Sequence, residues 1–173
     1  MTQEDVRLQF RNAMASLAAA VNVITTDGPQ GRCGITASAV CSVTDTPPTM
    51  LVCINQSSYV HDILHGNAQV CINVLGARGQ ELARLFAGMT GCSMEERFAQ
   101  CAWQPGRLAV PVLDDAIASL EGTVCESKSV GSHSVIFVRI EHIALREEEG
   151  EGLIYFGRQF HRLARAAATC AAG

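Results

Sequence analysis

Small and hydroxyl-bearing residues are concentrated in one stretch, G-I-T-A-S-A-V-C-S-V-T at residues 34–44. Gly34, Ala37, Ser38, Ala39 and Ser42 lack bulk, so a flat ring or a phosphate can approach the backbone there. Thr36 and Ser38 add hydroxyl donors. The same composition suits close strand packing or a tight contact between two copies of the chain. Asn55-Gln56-Ser57-Ser58 directly follows the apolar run M-L-V-C-I-N. Polar groups at the end of a buried strand can meet a ligand's heteroatoms, and they equally build a turn. Arg84, in R-L-F-A-G, can pair with a phosphate or lie on the solvent face of a helix.

Five histidines offer acid–base or metal chemistry. His61 and His65 stand four apart in H-D-I-L-H, which sets both on one helical face. The zinc-protease pattern needs Glu after the first His; Asp62 stands there and no third ligand suggests itself, so no metal site is expected. His142 falls within a strand pattern and reads as structural. His133, in G-S-H between two long strands, sits where loops carry function. His161 lies in Y-F-G-R-Q-F-H near Arg158. No G-x-G-x-x-G, Walker loop or G-x-S-x-G is present. The eight cysteines form no C-x-x-C pair, and several sit in apolar runs such as LVCIN and QVCINV, so they read as reduced, buried thiols.

The elements that must position these residues follow from periodicity. Val6, Phe10, Met14 and Leu17 recur at helical spacing over residues 4–20. Strands are expected at 21–26, at 33–44 as one extended segment ended by Pro47-Pro48, at 50–55 (buried on both faces) and at 69–75. Helices are expected at 59–65, ended by Gly66-Asn67, and at 80–88. Residues 89–111 lack a period and read as loops. Two long strands, 116–128 and 134–145, follow, then an acidic turn, a strand at 153–156 and a terminal helix or frayed tail, the latter at about 164–173. Strands dominate without βαβ alternation, so the fold class is mainly β with peripheral helices, and a barrel leaves fewest open edges.

The 173 residues suit one domain, and 48% hydrophobic with 17% charged residues argues against disorder. A net charge of −4 argues against a broad nucleic-acid surface and is compatible with a local basic pocket. No apolar run approaches a membrane span, and the N-terminus lacks a signal-peptide pattern, so a cytoplasmic protein is expected.

The ordered set V-x-V-I-T-T, G-I-T-A-S-A-V-C-S-V-T-D-T-P-P, V-C-I-N, I-N-V-L, F-A-G, S-L-E-G, G-S-H and Y-F-x-R resembles the short-chain flavin reductase family. The likeness spans nearly the whole chain, residues 1–173 reading as a single flavin reductase-like domain. It implies an FMN-binding split β-barrel. It further implies that Thr36, Ala37, Ser38, Ser42, Val43 and Thr44 line a flavin, FAD or FMN. Asn55, Ser57 and Ser58 would reach the ring edge or phosphates, and Arg84, Phe86 and Ala87 would close the phosphate end. His133, Tyr155, Arg158 and Phe160 match positions on the nicotinamide side, for NADH.

The implied activity is reduction of flavin by NADH, in a homodimer, with reduced flavin passed to a partner aromatic-ring oxygenase. Such chemistry is carried by the cofactors and needs positioning more than acid–base groups. Two other readings stay open: an FMN-retaining oxidase of the pyridoxamine-phosphate-oxidase type, and a non-catalytic flavin-binding module.

Overall fold

The computed structural model describes residues 1–146 and 150–165. The elements in order are α1 (Gln3–Met14), β1 (Ala19–Ala20), β2 (Asn22–Thr26), β3 (Cys33–Ala37), β4 (Val40–Asp45), β5 (Pro48–Asn55), α2 (Tyr59–Asn67) and β6 (Gln69–Leu75). A 3-10 turn (Ala77–Gly79) leads into α3 (Gln80–Phe86), followed by α4 (Met94–Ala99), β7 (Trp103–Pro105) and β8 (Pro111–Leu113). The long hairpin β9 (Ala116–Val130) and β10 (His133–Leu145) precedes β11 (Gly152–Phe156) and β12 (Gln159–Leu163).

Seven strands form one antiparallel sheet in the order β3-β2-β6-β9-β10-β5-β4. Its two edge strands, β3 and β4, are separated in the chain by Ser38 and Ala39 alone. A flat sheet would hold its edges roughly 29 Å apart, six gaps of ~4.8 Å. The chain from Ala37 to Val40 spans at most about 11 Å. The sheet must therefore curl until its edges approach. On the β4 side of that seam the Cys53 N–H donates to the Ala39 carbonyl at 2.9 Å, extending the β4–β5 pairing by one residue. Among the described residues no ladder joins β3 to β4, so the barrel stays split.

Bulges between Phe137 and Val138 and between Ile140 and His142 add local twist to the long hairpin. Gly122 is also required there, because a Cβ would collide with the Arg139 carbonyl. That accounts for the glycine of S-L-E-G. The glutamate of the same motif, Glu121, is buried and accepts from the Leu108 N–H at 2.8 Å, which ties down the loop before β8.

Burial alternates along β2 between two cores. Ile24 packs inside the barrel with Val52, Ile54, Ile72, Ile136 and Val138. Val21 and Val23 face a second cluster with Leu82, Phe86, Phe98, Leu113 and Leu153. Asn73, fully buried, bridges the layers: it donates to Val23 O and Thr25 Oγ1 and accepts from Leu113 N. A buried amide is tolerable only when its donors and acceptor are satisfied in this way.

The structure departs from several expectations. The segment 33–44 is two strands on opposite edges, broken at Ser38-Ala39, because barrel closure sends the chain across the seam. Residues 89–111 contain α4, β7 and β8; Ser93 and Glu96 form a capping box that starts α4. The first helix stops at Met14, and Val6, Leu8, Phe10 and Leu17 are exposed. Strand β5 buries Val52 and Ile54, with half-buried Met50 beside them on the core face, while Leu51 and Cys53 on its other face are half-buried. Residues Arg162 and Leu163 belong to β12, a strand the sequence reading missed; the tail from 166 on and the first half, 147–149, of the acidic turn E-E-E-G-E-G lie outside the described residues.

Of the seven cysteines among the described residues, Cys33 and Cys71 are buried, Cys53, Cys92 and Cys101 are half-buried, and Cys41 and Cys125 are exposed, all seven free; Cys170 lies outside the described residues. The expectation of buried thiols therefore fails at Cys41, on edge strand β4, and at Cys125, on β9, both exposed. Burial, with Asp27 and Glu121 adding repulsion, pushes the Cys33 and Cys71 thiols up to about 12.

Candidate functional site

Three elements meet at the main cleft, about 490 Å³ in volume. The end of β3 brings Thr36 and, just past the strand, Ser38. Helix α3 brings Arg84 and the following Ala87, and the β11–β12 hairpin brings Tyr155, Arg158 and Phe160. The Thr36 hydroxyl donates to Ala83 O at 2.7 Å, which fixes α3 against β3. Tyr155 and Phe160 meet edge to face at 5.1 Å between centroids. The Arg84 guanidinium lies 5.5 Å from the Phe160 ring centre.

The cleft combines an aromatic wall with two guanidinium groups, and no carboxylate lines it among the described residues. In a chain of net charge −4 this is a local cationic site. Arg84 Nε is buried without a hydrogen-bond partner, and Glu81 approaches it only to 3.9 Å. A buried N–H with no acceptor is costly, so the orphaned donor marks a place for an anionic or carbonyl oxygen. An aromatic ring carrying phosphates, as in a flavin nucleotide or a nicotinamide dinucleotide, fits this donor set.

A second cleft of about 410 Å³ adjoins the first and shares Ala87 with it. Gly34, Ser58, Phe86 and Arg97 are among its walls. Phe86 is only 1% exposed and packs against Phe98 and Trp103, so its ring serves mainly as core. Gly34 is small for the same reason, since a Cβ would stand 2.8 Å from Phe86 Cε1.

Other expected site residues lie elsewhere. The Ala37 side chain is buried in the barrel core. Ser42, Val43 and Thr44 are exposed on edge strand β4, where a bulge falls between Ser42 and Thr44. Asn55 accepts from both the backbone and hydroxyl of Ser57, and the Ser58 hydroxyl caps α2 by accepting from Val60 N. His133 begins β10 opposite Asn55, its Nδ1 hydrogen-bonded with Ser132 Oγ at 2.9 Å, outside the cleft lined by Tyr155, Arg158 and Phe160.

His61 and His65 share a face of α2 with rings 4.7 Å apart, bonded to Ser134 and Ser127. Burial, then His61, lowers the His65 pKa. The sequence reading missed Val21, Gln80, Met89 and Gln159 as cleft residues. Gln80 was recoverable, because it stands one helical turn before Arg84.

The family profile described as flavin reductase like domain matches residues 14–164, and the chain belongs to that family. Among curated relatives, the 4-hydroxyphenylacetate 3-monooxygenase reductase component of Salmonella typhi is 56% identical over 161 residues, covering 93% of this chain and 94% of that protein. FMN reductase (NADH) RutF of Pseudomonas syringae is 50% identical, covering 91% of this chain and 86% of that protein. Among solved structures, a candidate flavin reductase from Haemophilus somnus is 38% identical, covers 90% of this chain and 98% of its own, and superposes with a TM-score of 0.85.

Proposed function

We propose that the chain is an NADH-dependent flavin reductase that supplies reduced FAD or FMN to a partner aromatic-ring oxygenase, that of 4-hydroxyphenylacetate 3-monooxygenase. The observation that carries this reading is the cationic, aromatic cleft with the orphaned Arg84 Nε. The partner is taken from the name of the 56%-identical relative. A bound flavin supplies the hydride-accepting ring and NADH the hydride. The chain's own residues orient and enclose. Arg84 and Arg158 take phosphate oxygens, Thr36 and Ser38 let a ring approach β3, and Tyr155 and Phe160 keep water from one side. Catalysis by positioning needs no proton-transfer residue.

Flavin contacts extend from Ala87 along the adjoining cleft toward Ser58, with Asn55 and Ser57 beyond it. His133 is assigned to the nicotinamide side. Because it stands outside the main cleft of its own chain, we assign it through a homodimer in which the β9–β10 tip of one copy approaches the site of the other. Exposed Leu8, Phe10 and Leu17 on and after α1, and Val43 on β4, supply apolar surface for such an interface. A stable one should bury about 2,000 Å² or more. Sedimentation of a fully active monomer at micromolar concentration would contradict it.

We place the protein in the cytoplasm, where NADH is available and the seven free cysteines among the described residues stay reduced. Among the described residues no helix is long and apolar enough to cross a membrane.

The test is NADH oxidation by the purified chain with FAD, FMN and riboflavin compared side by side. Turnover that depends on added flavin supports the reductase. Tightly held flavin without turnover supports a binding module, and amine oxidation with retained FMN supports an oxidase.

A further inference from the structure

Arg158 holds a backbone conformation that side-chain-bearing residues avoid. Its φ is +63°, and it follows Gly157 at +58° in the two-residue turn between β11 and β12. A non-glycine residue persists there only when its surroundings hold it. Two contacts from the first helix do so. The Gly157 N–H donates to Ala15 O at 2.7 Å, and Arg158 Nη2 donates to Asn12 Oδ1 at 2.7 Å.

Helix α1 contains no buried residue. Two polar contacts, rather than buried apolar side chains of the helix, tie it to the hairpin. Arg158 also lines two clefts at once. One is the main cleft, and the other, of about 420 Å³, is walled across from it by Arg11, Met14 and Leu17.

We infer that Asn12 is a positioning residue for nucleotide binding. By accepting from Nη2 it holds the Arg158 guanidinium at the wall shared by the two clefts, with the remaining N–H donors of the fork offered to the phosphates of the dinucleotide. The inference rests on the flavin reductase reading above. Asn12 itself lines neither cleft. It acts through Arg158, and its removal therefore matters only for a hydride donor that carries phosphate.

The test uses Asn12→Leu, close in size and without an acceptor, and Arg158→Ala, singly and combined. Two hydride donors are compared: NADH and reduced N-benzylnicotinamide, which has no phosphate. Asn12→Leu should raise KM for NADH on the order of fivefold, with kcat within about twofold and KM for the phosphate-free donor unchanged. In the Arg158→Ala background, adding Asn12→Leu should change nothing further. Thermal unfolding of each variant checks that the fold persists, and the Arg158→Ala comparison stands even where α1 loosens. A similar rise in KM for both donors, no rise for NADH, or a further rise in the Arg158→Ala background would overturn the role of Asn12. A wild-type chain that oxidises neither donor with any flavin would overturn the reductase reading itself.

Discussion

Gly34→Ala should destabilise the protein by overpacking, because the methyl has nowhere to go. The added Cβ would lie 2.8 Å from Phe86 Cε1 and 2.9 Å from Cδ1, whereas carbon atoms in contact settle at about 3.5–4.0 Å. The ring would have to withdraw by roughly 0.7–1 Å. Its retreat is closed by Phe98, 5.2 Å away, and Trp103, 5.7 Å away, and Trp103 is itself held by its Nε1–H donating to Phe98 O. Overpacking of this kind costs about 1–3 kcal/mol. For a chain of this length that corresponds to a fall in Tm of about 3–10 °C. Thermal unfolding by circular dichroism measures it for Gly34→Ala, Phe86→Leu and the double variant. Leu removes the colliding ring edge, so the double variant should recover at least about 1 kcal/mol relative to additivity. Wild-type Tm in Gly34→Ala, or strictly additive losses, would refute the packing argument.

Arg84→Met should weaken FMN binding by about 10–100-fold, the loss of one charge-assisted hydrogen bond, and leave riboflavin binding nearly unchanged; fluorescence titration of both flavins checks this. His133→Ala should raise KM for NADH severalfold, on the order of one hydrogen bond, without altering flavin affinity, and an unchanged KM would remove His133 from the site. The Cys33 and Cys71 thiols are raised from 9.0 to about 12. Because the folded state keeps them protonated, they favour folding fully below pH 9, and that contribution is lost as pH rises from about 9 to about 12, by roughly 1.4 kcal/mol per unit for each thiol. Denaturant melts across that range measure the loss, and under native conditions a thiol reagent should label Cys41 and Cys125 well before either buried thiol.

Much of the strand content was legible because its cause is local. Q-V-C-I-N-V-L ends where β6 ends, and the two long runs either side of Gly131-Ser132 are the β9–β10 hairpin. The break at Ser38-Ala39 was not legible. Neither residue is a strong turn former, and the chain divides there because a distant requirement, curling of the seven-stranded sheet, brings its two edges together. Helix α4 has six residues, too few to show a period, though Ser93 and Glu96 carried a capping signal.

The cleft was half legible for a similar reason. Arg84 and Phe160 are far apart in sequence, and only the fold stacks one on the other. The motif resemblance named both residues and assigned them to different ligands, flavin phosphate and nicotinamide; the structure sets them against each other in one cleft. Asn55, Ser57 and Ser58 show the converse, since each polar group that suggested a ligand contact also has a turn or cap bond within the chain.

The central claim, that this chain passes hydride from NADH to a flavin it then releases, is tested most directly under anaerobic conditions with free FAD or FMN in large excess over protein. Bleaching of the flavin's visible absorbance on adding NADH should run through many equivalents per chain at a rate proportional to protein concentration. Bleaching that stops at one equivalent per chain, or none above the protein-free rate, would contradict the account.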